Sequence, residues 1–185
     1  MSILMGNQQQ KEIKTIRERQ ITVKLSDADC DRLVDLCGRY NLGVSELLEN
    51  FIGDLVGGTY SNGSDERAYA REWFERCWFS LQPEQTLLNH LLSWGYEPED
   101  YLVMVDEIKL LKDQLQYVIN YPEDCINSAE EKRSLKEMIS DLKKALESMQ
   151  EDWHPDGKVH MNKEIRHIRK WKEEKQSLLE NQIQE

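Results

Sequence analysis

"RERQITVKLSDADCDRLVDLCGRYNLGVSELLENFI", residues Arg17–Ile52, changes its period twice, and the fold is read from those changes. Ile21, Val23 and Leu25 alternate with Gln20, Thr22 and Lys24, a period of two that predicts one short strand. Ser26 follows, with Asp29 three positions on, which reads as a helix N-cap. Asp27, Asp29 and Asp31 suit the positive end of that helix's dipole. Cys30, Leu33, Val34 and Cys37 then recur at helical spacing until "RYNLG" ends the helix. Val44, Leu47, Leu48, Phe51, Ile52 and Leu55 form a second apolar stripe, stopped by Gly57-Gly58.

A lone strand has unpaired edges and is not stable in water. It needs a partner, and the simplest is the same strand from a second copy, which gives a two-fold dimer with a two-stranded antiparallel ribbon. Ile21, Val23 and Leu25 then face a four-helix core, and with Leu47, Leu48, Phe51 and Ile52 they make the expected dimer interface. Gln20, Thr22 and Lys24 face outward, on a ribbon whose width fits the DNA major groove.

The order strand, helix, glycine-containing turn, helix, carried by "RQITVKLSDADCDRLVDLC" and "NLGVSELLENFI", resembles the ribbon-helix-helix family of repressors over residues 17–56. The resemblance implies that Gln20, Thr22 and Lys24 read bases. It also implies that the start of the second helix, Gly43, Val44 and Ser45, holds a DNA phosphate through backbone N–H groups. Arg17 and Arg19, with Lys11, Lys14 and Lys24, supply the cations that attraction to phosphate requires.

Charge is distributed unevenly along the 185 residues, whose formal net charge is -11. Residues 1–25 sum to +3, whereas residues 83–152 sum to -9 and would repel nucleic acid. The acidity therefore does not lie in the strand, and it suggests a second, protein partner for the rest of the chain. Apolar residues make up 39% and charged residues 32%, a balance that suits elongated helices with narrow apolar stripes. No run of about 18 apolar residues exists, so no membrane span is expected. Cys30, Cys37, Cys77 and Cys125 form no Cys-x-x-Cys pair, and "MSILMGNQQQKEIK" does not read as a signal peptide. Reduced cysteines in a cytoplasmic protein are the expectation.

Beyond residue 58 the pattern is helical. Ser64 reads as an N-cap after the Asn62-Gly63 turn, and Ala70, Trp73, Phe74, Cys77 and Trp78 share one face of the following helix, as core or partner interface. Further helices are predicted at about 83–94, 98–120, 128–151 and 162–181, separated by Gly95, "NYPEDCINS" and "DWHPDGKVH". The fold class is thus mainly α: an N-terminal ribbon-helix-helix followed by a C-terminal antiparallel helical bundle or coiled-coil hairpins. The expected divisions are a flexible polar arm (1–16), the ribbon-helix-helix module (17–58), connecting helices (59–96) and a long-helix domain (97–185).

No catalytic constellation stands out, and neither an enzyme, a cofactor nor a metal site is expected. His154, Asp156 and His160 match no common metal spacing. "HPDGK" at 154–158 carries the tripeptide of J-domain co-chaperones, but the long acidic helix before it favours a plain helical turn. The basic last helix, with Lys163, Arg166, Arg169, Lys170, Lys172 and Lys175, is expected to pair with the acidic helices before it. The functional expectation is a homodimeric DNA-binding regulator of a phage or mobile element, with a helical protein-interaction domain. The alternative is an acidic, anti-CRISPR-like inhibitor that binds a CRISPR nuclease. In that reading the acids at 97–100, 106–107, 123–124, 130–131 and 151–152 block the nuclease's nucleic-acid site.

Overall fold

The computed structural model describes residues 10–58 and 64–180. It divides into two compact units, one reaching to Pro83 and including the residues from Leu178 on, the other Glu84–Ser177. The chain is mainly helical, and no strand is present among the described residues. Residues 1–9 of the polar arm and the Asn62-Gly63 turn lie outside them, as does the Ser64 side chain.

In the first unit, a helical turn at residues 10–13 precedes an irregular stretch, residues 16–26. The strand expected over residues 20–25 is not formed: among the described residues no second strand lies beside this segment to pair with it, and a lone strand has nothing to satisfy its edges. Helix α1, Asp27–Arg39, starts where expected: the Ser26 hydroxyl accepts the Asp29 N–H at 3.2 Å, and Asp27 and Asp29 occupy the first turn. It ends because Asn41 adopts a left-handed backbone, φ 54°. Leu42 N–H then reaches back to Cys37 O (3.0 Å) and Asn41 N–H to Gly38 O (3.2 Å), which satisfies the last carbonyls. Helix α2, Val44–Val56, closes in the same way at Gly57, φ 64°, with Gly58 N–H on Gly53 O at 2.8 Å.

Helix α3, Ser64–Arg76, lies against α2, and Trp73 meets Phe51 edge-on with ring centroids 5.3 Å apart. The helical face expected to run on to Trp78 breaks at Cys77, whose backbone is extended, and a single turn, α4 (Trp78–Leu81), restarts the helix. Of the five residues expected on that face only Ala70 is buried. Among the described residues this unit fully buries Cys37, Gly53 and Ala70 and no large side chain.

The second unit builds its own core. Helix α5, Leu87–Ser93, is capped by the Thr86 hydroxyl on Asn89 N–H (3.1 Å), so it starts a turn later than its proline at 83 suggests. Gly95, φ 75°, turns the chain, with Tyr96 N–H on Leu91 O at 2.9 Å. Helix α6, Pro98–Asn120, begins with proline in its first turn, where no N–H is needed. Helix α7, Ser128–Met149, returns antiparallel to it, and helix α8, Met161–Glu180, follows. The pairing direction is set by the core. Ile108, Leu111 and Val118 of α6 meet Leu135 and Ile139 of α7, while Tyr101 and Leu102 meet Met149 at the other end.

Leu87, Leu88 and Leu91 of α5 and Ile168 of α8 complete the second cluster. Burying one such leucine or isoleucine contributes about 1.5–3 kcal/mol. Two polar side chains of this core are satisfied: the His90 imidazole Nε2 lies 3.1 Å from Met149 O, and the Tyr101 hydroxyl accepts from Gln150, whereas Glu99 Oε2 is buried without a hydrogen-bond partner. No helix among the described residues is long and apolar enough to cross a membrane.

Candidate nucleic-acid interface

The residues expected to read DNA lie in the irregular stretch before α1 and at the start of α2. Gln20, Thr22 and Lys24 are exposed, and so are the residues between them: Ile21 is 57%, Val23 64% and Leu25 51% exposed. Both faces of the segment are therefore open in one copy. An apolar face left in water is costly, at about 25 cal/mol per Å². The same holds one element further on, where Leu48, Phe51 and Ile52 of α2 are exposed and Leu47 is half-buried. The two apolar surfaces expected to form a dimer interface are thus both uncovered.

Two of the expected phosphate contacts are otherwise engaged. Arg17 and Arg19 both donate to Leu179 O, Arg19 at 2.8 Å, and Arg19 also reaches Thr15 O at 3.4 Å. Leu179 lies in the last turn of α8, where carbonyls lack helical partners and carry the negative end of the dipole, so cations are attracted there. A contact between residues 160 apart leaves no local pattern in the sequence. Lys24 has no ion pair among the described residues and is the freest cation of the segment.

Gly43 caps α2 with an extended backbone (φ -81°, ψ 155°), and Val44 and Ser45 form its first turn. Their N–H groups point out of the helix end, as a phosphate cradle requires. The site has a resident anion, however: the Glu46 carboxylate folds back onto Gly43 N–H at 3.4 Å. Glu46 stands three residues after the cap, a capping-box spacing. A phosphate arriving at Gly43 has to displace that carboxylate.

In the second unit the basic helix α8 does pair with acids of α6. Arg169 meets Asp106 at 2.5 Å and Lys175 meets Glu99 at 2.6 Å, with Lys175 also over the Trp171 ring. The hydrogen bond from Lys175 holds the Glu99 carboxyl below its ordinary range, and Glu99 raises Lys175 in return. Lys163, Arg166 and Lys170 stay exposed. Among the described residues no three of His, Cys, Asp and Glu converge as metal ligands would.

No protein-family model, no curated protein and no solved structure matches this chain.

Proposed function

We propose that the chain is a homodimeric ribbon-helix-helix DNA-binding regulator whose helical second unit serves protein interaction. One observation carries the reading. A segment alternating Ile21, Val23, Leu25 with Gln20, Thr22, Lys24 stands unpaired and exposed ahead of two helices whose shared apolar stripe is also uncovered. Pairing with a second copy would satisfy the strand edges and bury both apolar faces in one step. It would also set Gln20, Thr22 and Lys24 in two antiparallel rows on the outer face of the ribbon.

Charge within the segment supports the same partner. Lys24 of each copy lies on the face that would enter the groove, and the acids of α1 begin only at Asp27. The acidic-inhibitor alternative has charge alone behind it, and several of its carboxylates are already committed. Glu99 and Asp106 are in ion pairs, Asp124 accepts the Tyr117 hydroxyl at 2.7 Å, and Glu130 accepts from Asn127 at 2.8 Å.

Titration of random duplex DNA over a salt series tests the proposal. Affinity should fall linearly in log–log form, each neutralised phosphate contributing about 0.9 to the slope. Lys24→Ala should weaken binding on all sequences and lower that slope by about two per dimer. Thr22→Ala should change sequence preference more than salt dependence. An absence of any complex with DNA at low salt would sink the regulator reading.

A further inference from the structure

The first unit has a second apolar surface that the ribbon and its two helices do not use. On α3 and α4 it exposes Trp73, Phe74, Phe79 and Leu81, and Trp78 is 83% exposed. The rings form a connected ledge: Phe74 to Phe79 at 5.4 Å and Phe79 to Trp78 at 6.0 Å between centroids. At its inner end Trp73 rests edge-on against Phe51 of α2. The charges around it cancel within the helix, Arg71 with Glu75 at 2.8 Å and Arg76 with Glu72 at 3.3 Å. An aromatic centre with a neutralised polar rim has the make-up of a protein interface and offers nucleic acid no net attraction.

We infer that this ledge is the outer part of the homodimer interface and is covered by the second copy of the chain, an inference that rests on the ribbon-mediated dimer proposed above. Continuity argues for that occupant. Phe51 belongs at once to the α2 stripe and to the Trp73 contact, so a copy seated on the stripe abuts the ledge. The unit's missing core argues the same way. Its fully buried residues among those described are Cys37, Gly53 and Ala70, too small to offset the entropy of ordering helices α1 to α4. A two-fold dimer presents each surface twice, so the ledge on both copies is used together or not at all. Dimerisation is then a condition for the unit to fold rather than an association of finished subunits.

Sedimentation equilibrium of the full chain tests this, comparing wild type, Val23→Glu and the double variant Trp78→Ala/Phe79→Ala. The expected result is a wild-type dimer, a monomeric Val23→Glu, and a double variant whose dimer dissociation constant rises at least about tenfold. A double variant that dimerises as wild type does, beside a monomeric Val23→Glu, would overturn the ledge assignment while leaving the ribbon dimer intact. A wild type monomeric at every concentration would overturn both. If the double variant loses helix by circular dichroism, Trp78→Phe and Phe79→Leu carry the same comparison. A dissociation constant unchanged in both milder variants counts against the ledge, and a graded rise counts for it.

Discussion

Ile52 on α2 and Leu91 on α5 are drawn from similar helical stripes, yet Leu91 is fully buried and Ile52 is 43% exposed. Periodicity does not separate them, because each recurs with apolar neighbours at three and four residues. What differs is the company the chain provides. Around Leu91 two long helices, α6 and α8, bring Tyr101, Leu102 and Ile168. Around Ile52 the chain brings α3, whose Trp73 and Phe74 are themselves half in water. One unit closes its core from its own sequence, and the other leaves its stripe in water. An apolar stripe thus fixes which face of a helix is apolar, and the rest of the sequence decides whether the chain itself covers it.

The contrast can be broken most severely at Ile52. Ile52→Asp places a carboxylate on a face that costs little in a single copy and a great deal inside an apolar interface. It should abolish the proposed dimer at micromolar concentration in a gel-filtration and light-scattering measurement, and leave the second unit's unfolding untouched. A variant as dimeric as wild type would place the interface elsewhere. Next in size is Leu91→Ala, expected to destabilise the second unit by about 2–5 kcal/mol in urea unfolding. That loss should not depend on protein concentration, whereas the first unit's transition should.

Smaller again is Asn41→Ala, which forces a side chain with no local hydrogen-bonding capacity into the left-handed backbone that ends α1. About 1 kcal/mol should be lost from the first unit's transition, and Asn41→Gly should keep it. The smallest effect belongs to Glu99. Its carboxyl titrates below its unfolded value because of Lys175, so its contribution is complete above the unfolded pKa, about 4.3 for glutamate. It fades as pH falls through the lower folded value. Glu99→Gln should flatten that acid limb of the second unit's stability curve, modestly, since the pair is partly solvated. An acid limb identical in the two proteins would count against the pair.

Much of this was legible in the residues themselves. Ser26, Gly57 and Gly95 punctuate the chain where its helices stop and start, because caps and left-handed turns are local chemistry. The bounds of α6 and α7 fall within two residues of those read from the breakers around them, for the same reason. Other features had no local signature. The Cys77 break inside an aromatic helical face follows from neither propensity nor period. Arg17 and Arg19 look like free cations until the end of α8 is brought beside them, and nothing near His90 in sequence points to Met149 O as its partner. In the candidate interface, Glu46 was visible by its spacing, but its role as the anion already seated at Gly43 needed coordinates.

The α6–α7 hairpin has a kinetic consequence. Its two helices are joined by a short turn around Pro122–Asp124, so their contacts form within one continuous segment of a single chain. Topologies of this kind fold on the microsecond to millisecond scale and need no encounter with another molecule. The first unit, if it waits for a second copy, is limited by how often two chains meet. During synthesis it leaves the ribosome first and yet would finish last. Protein concentration would then set the rate at which the N-terminal unit matures, and dilution would slow that step while leaving the hairpin's folding unchanged.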